Sequence, residues 1–132
     1  DAEALFAAAS PFDQAVVFLG SNDMMQGLSA QEVAARMEAF LGRLTAYPLL
    51  LLTPVPMVSG TWVTEERLVT ESAKLADYYK ALARRLGIHY ANPGAWDIEM
   101  AFDGVHYSEE GHRVFALRMQ DTLESISSHT MP

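Results

Sequence analysis

The sequence contains no cysteine, which excludes disulfides, thiolate metal sites and a cysteine nucleophile. Basic residues are scarce: 9 Lys and Arg stand against 17 Asp and Glu, for a formal net charge of −8. A phosphate backbone or an anionic membrane surface repels such a chain unless a local basic patch intervenes. None appears. Arg84 and Arg85 are the only adjacent basic pair, and they fall in the last turn of a helix, where cations are expected. No nucleic-acid or membrane partner is therefore expected. The longest apolar run, residues 49–52 with its flanks, is far below the roughly 20 residues needed to span a bilayer, and no signal-peptide pattern is present. The chain reads as soluble; its compartment stays open, with the cytoplasm favoured for want of a signal peptide. Repeats, low-complexity segments and linkers are also missing, so the 132 residues read as a single domain, 1–132, with 50% apolar content to fill a core.

What is there alternates. Residues 1–9 are alanine-rich and helical in character, ending at Ser10-Pro11 because a residue before proline is pushed out of helical geometry. After a turn around Asp13, residues 15–19 form an unbroken apolar run of strand length, the habit of a parallel strand buried on both faces. Ser29 and Glu32 form a capping-box pattern, and Val33, Met37, Phe40, Leu41 and Leu44 follow at helical steps until Tyr47-Pro48. Residues 49–53 make a second buried strand. Thr64 is placed to cap the next helix, whose apolar stripe is Leu68, Leu75, Leu82 and Leu86 and whose stop is Gly87. Residues 88–91 make a third strand, and Ser108 opens a last helix with Val114, Leu117 and Leu123 inward. Strands alternating with helices at these spacings predict an α/β fold, a parallel sheet with helices on both faces. Three strands make a narrow sheet for that class.

Ligands of open α/β sheets collect beyond the carboxyl ends of the strands. The polar loops 20–23, 54–62 and 103–106 follow the three strands there, so Asn22 and His106 are expected at one edge. Asp103 and His106 suit a base and its orienter, since a carboxylate on one ring nitrogen fixes the tautomer that leaves the other free to take a proton. On its own an Asp-x-x-His is common and serves equally as a structural hydrogen bond or a helix cap. Asn22 is a neutral amide donor of the kind that stabilises an oxyanion, and Gly20 lets the backbone pass close by. The plain alternative is a turn in which Asn22 or Asp23 caps the next segment.

Together, Gly20-Ser21-Asn22-Asp23 after a buried strand and Asp103-Gly104-Val105-His106 before a final helix resemble the third and fifth blocks of the SGNH, or GDSL-type, ester hydrolases. The surrounding residues 102–112, with Glu109-Glu110-Gly111, are similar to that family too, and the resemblance covers nearly the whole chain. It implies a three-layer α-β-α fold with a flavodoxin-like parallel sheet. It also implies a Ser-His-Asp mechanism on a small-molecule carboxylic ester, with His106 as general base, Asp103 orienting it, Asn22 donating to the oxyanion and Gly20 beside it, and no cofactor. Two of the family's features are missing: the Gly-Asp-Ser nucleophile block and the second-block glycine. Ser10 precedes a proline, Ser21 lies inside the third block, Ser29 is a cap, and Ser59 has no strand-to-helix elbow.

The expectation is that Asp1 falls partway into the family's domain, so that the first two strands and their helix are absent. The strand at 16–19 then has an open apolar edge, which would pair with another copy or with a missing N-terminal piece. The chain alone would be nearly inactive. A non-catalytic binding or assembly module that keeps the fold is the alternative function. His89 and His112 with Asp103, His106, Glu109 and Glu110 offer a metal site on paper, but metal binding is not the expectation. Met57, Trp62 and Trp96 sit on loops at the active edge as candidates to line an acyl or alcohol pocket, or simply to cover a core.

Overall fold

Leu49–Leu52 has no polar face, and it needs none: these four residues are the central strand of the sheet, buried on both sides. The computed structural model describes residues 2–9 and 14–130. The Ser10-Pro11 stop and the turn at Asp13 lie outside the described residues. In chain order the elements are α1 (Ala2–Ala9), β1 (Ala15–Phe18), α2 (Ser21–Met25), α3 (Ala30–Gly42), β2 (Leu49–Leu52), α4 (Glu66–Leu86), β3 (His89–Ala91), a 3-10 turn (Pro93–Ala95) and α5 (Glu109–Thr130). The strands pair in parallel in the order β1-β2-β3, with Val17 opposite Leu51 and Leu51 opposite Tyr90.

Because side chains alternate along a strand, the sheet has two distinct faces. Ala15, Val17, Leu49, Leu51 and Tyr90 point to the layer made by α3 and α4, where they join Val33, Met37, Leu41, Leu75, Tyr79 and Leu82 in the main core. Phe18 points the other way and stacks on Phe115 of α5, ring centroids 5.4 Å apart. The result is the expected α-β-α layering. The capping box forms as read, Ser29 Oγ accepting from the Glu32 N–H and Glu32 Oε1 from the Ser29 N–H. Gly87 ends α4 in the left-handed conformation, φ 68°.

Several expectations need correction. Residues 20–23, read as a polar loop, run instead into the short helix α2, Ser21–Met25. Neither Asn22 nor Asp23 caps it: Gly20 holds the N-cap position and no side chain bonds there. Thr64 does not cap α4 either. The pairing of Gly60 with Val63 occupies the chain up to Val63, and the N-cap falls on Glu65 without a side-chain bond. On α5, Leu117 is exposed; Phe115 faces the sheet, and two residues further on is about 200° around the helix. Met57 is buried in the main core and does not line the cavity that holds His106.

β1 is an edge strand, and its edge is apolar: Val16 is 42% and Leu19 58% exposed. Among the described residues no helix is long and apolar enough to cross a membrane.

Candidate active site

The loop after β3 is shaped by its own carboxylate. Asp103, nearly buried, accepts through Oδ1 from the Val105 and His106 N–H groups, both at 2.8 Å, and through Oδ2 from His106 Nδ1 at 2.6 Å. These hydrogen bonds, the backbone ones foremost, hold the Asp103 carboxyl below its ordinary range, so it is a carboxylate and the imidazole donates from Nδ1. In the neutral ring Nε2 then holds the lone pair, and it has no hydrogen-bond partner among the described residues.

A second loop locks the first in place. The Val58 N–H donates to the Gly104 carbonyl, Thr61 to Phe102 and Trp62 to Asp103, each at 3.1 Å. Contact is so close that a Cβ on Gly60 would sit 2.5 Å from the Asp103 carbonyl carbon, and one on Gly104, at φ 84°, would overlap the Val58 carbonyl oxygen. The buried Ser72 of α4 ties this second loop to the core by accepting from the Met57 N–H at 2.8 Å. Behind His106, the 100–107 pairing and the Ser108 cap on the Gly111 N–H lead into α5.

The end of β1 is positioned from α4. Tyr79, fully buried, donates its hydroxyl to the Leu19 carbonyl at 2.8 Å. Burial, assisted by the nearby Asp23 charge, pushes that phenol far up. Gly20 follows at φ 140°, where a Cβ would meet the Tyr79 oxygen at 2.7 Å, so this position admits only glycine. Arg67 closes the far end of α2 by donating to the Met24 and Leu28 carbonyls, and Met24 is buried. The backbone of α2 is thus anchored. The Asn22 side chain is exposed and has no hydrogen-bond partner among the described residues.

Gly20, Asn22 and His106 line one cavity of about 560 Å³, together with Asp23, Arg36, Tyr107 and His112 and an apolar wall that includes Val33, Met37 and Tyr79. Topology has therefore joined the two sequence motifs as expected; Asp103 sits behind His106. Burial pushes the Tyr107 hydroxyl up to about 12, so it stays protonated. Trp62 stands against His106, and Trp96 packs on Phe115; neither lines the cavity. No group of three metal-ligating side chains occurs among the described residues, and His89 begins β3, at the opposite end of the sheet. No serine hydroxyl hydrogen-bonds His106 among the described residues.

Gly60, Gly104, Ser72 and Tyr79 were not recognisable as site-builders from sequence. Only Tyr79 left a trace, at the position between Leu75 and Leu82 on the α4 stripe.

The fold is similar to that of several proteins of known structure. A native aryl esterase from M. smegmatis superposes with a TM-score of 0.83 at 19% identity, over 92% of this chain and 65% of that one. A carbohydrate acetylesterase from Sinorhizobium meliloti gives 0.81 at 21% identity, over 93% and 65%. A candidate arylesterase from Agrobacterium tumefaciens str. C58 gives 0.80 at 25% identity, over 95% and 66%. The chain thus spans just under two thirds of the length of these proteins. No curated protein matches it significantly by sequence. The profile of the GDSL-like Lipase/Acylhydrolase family matches residues 2–114, and the chain belongs to that family of ester hydrolases.

Proposed function

We propose that this chain carries the acid–base and oxyanion half of a serine esterase acting on carboxylic esters of modest size. His106 takes the nucleophile's proton at Nε2 and returns it to the departing alcohol oxygen. Asp103 fixes the ring and stabilises the imidazolium, and Asn22, beside Gly20, donates to the carbonyl oxygen as it becomes an oxyanion. The observation that carries this is the 2.6 Å bond between His106 Nδ1 and Asp103 Oδ2, on a ring that lines the same cavity as Asn22. No metal or organic cofactor takes part in these steps.

The nucleophilic serine comes, on this proposal, from a segment that adds a strand along the free edge of β1. The exposed Val16 and Leu19 support it, and so does the cavity that runs from His106 past Phe18 and Leu19 to Met37 and Phe40. The 132-residue chain alone is expected to hydrolyse p-nitrophenyl acetate near background. Joined to a segment that supplies the strand and the serine, it is expected to turn the ester over, with His106→Ala abolishing the rate. Robust turnover by the chain alone that depends on His106 would overturn the external serine; turnover indifferent to His106→Ala would overturn the assignment of the base.

A further inference from the structure

Trp62 is held against His106 with much of its own surface in water. The ring centroids are 5.1 Å apart and the planes meet at 77°, yet Trp62 remains 56% exposed. An indole usually buries a large apolar area, so one left open beside a proton shuttle is informative. Anchoring of its own turn does not explain it. That turn is fixed by the buried Val63, by the pairing of Gly60 with Val63, and by backbone bonds from Thr61 and Trp62 to Phe102 and Asp103. The Trp62 side chain is presented by the turn and holds none of it. On the same interlocked loops Val58 and Phe102 are also exposed, Phe102 by 81%. None of these three lines the cavity with Gly20 and Asn22, so His106 stands between that cavity and the exposed indole of Trp62.

Ester cleavage requires two proton transfers at the imidazole. The first removes the nucleophile's proton; in the second the C–O bond of the tetrahedral intermediate breaks as the proton passes from Nε2 to the departing oxygen. That oxygen must come within hydrogen-bond reach of His106, and its carbon substituent must run past whatever flanks the ring. We propose that Trp62, with Val58 and Phe102 as its outer rim, seats an apolar, ring-bearing alcohol portion of the ester, and so determines leaving-group specificity. This rests on His106 being the general base. The open indole surface accepts a phenyl ring by aromatic packing, while a small acyclic polyol such as glycerol has no ring face to lay against it.

The seat is testable on the 132-residue chain without turnover. Phenol, the alcohol of an aryl ester, is titrated with glycerol as polar control while NMR follows the Trp62 indole N–H and the His106 ring signals. Phenol is expected to move both sets and glycerol neither. Trp62→Ala should weaken phenol binding roughly three- to tenfold, the worth of one aromatic pair, and Trp62→Phe should keep it within about twofold of the native chain. Phenol binding unchanged in Trp62→Ala, or shifts confined to cavity residues such as Met37 and Tyr79, would overturn the seat. Failure of the parent assignment reads differently, as ester turnover indifferent to His106→Ala.

Discussion

The two loops that meet at the cavity are built in opposite ways. In the 101–107 loop both functional side chains are fixed by hydrogen bonds, and the backbone is clamped by a neighbouring loop through glycine contacts that leave no room for a Cβ. After β1 the reverse holds: the backbone is anchored by Tyr79, Met24 and Arg67, while the Asn22 amide has no partner among the described residues. The contrast fits the chemistry proposed for each. An imidazole that shuttles protons has to keep one tautomer and one orientation through both transfers, so it is worth fixing in advance. A neutral donor to an oxyanion needs its N–H groups unspent until the substrate arrives.

Substitutions break this contrast in graded fashion. The largest effect is expected at the clamp. Gly104→Ala places a methyl group against the Val58 carbonyl at a positive φ, and should cost roughly 2–4 kcal/mol, seen as a fall of several degrees in a thermal melt. Next is Asp103→Asn, which removes the carboxylate that orders the loop. Because the folded carboxyl lies below its ordinary value of 3.8, its contribution is full above that pH and is lost as the pH falls through the depressed folded value. Urea midpoints of the native chain should therefore decline through that acid window, and those of Asp103→Asn should decline less. Tyr79→Phe deletes one buried hydrogen bond to Leu19 and should cost about 1 kcal/mol by urea unfolding. Smallest is Asn22→Ala, expected within about 0.5 kcal/mol of the native stability since its exposed side chain bonds nothing among the described residues. The same change should lower ester turnover of the serine-containing protein by about 10²-fold or more.

Much of this was legible beforehand, and the limits have physical reasons. The strands were visible as apolar runs, since a sheet buried on both faces demands them; their ends were misplaced by a residue, as with Leu19, which is apolar yet lies beyond the pairing. The two candidate motifs were legible because loop chemistry at strand ends uses few residue types. α2 was missed because five residues are too few to show helical periodicity. The mutual fit of Gly60 and Gly104 was invisible because it joins residues far apart in sequence, and a glycine does not announce what its missing Cβ makes room for. Phe115 and Leu117 could not be ranked on α5, whose apolar residues lie on more than one face.

The central claim is that this chain by itself assembles a charged-carboxylate-to-imidazole pair ready for acid–base work. The most direct measurement is the proton NMR spectrum of the His106 Nδ1–H in the 132-residue chain at neutral pH. The expected result is a slowly exchanging, strongly downfield proton that vanishes in Asp103→Ala and persists in Asn22→Ala. Absence of that proton in the native chain, or its survival in Asp103→Ala, would contradict the account.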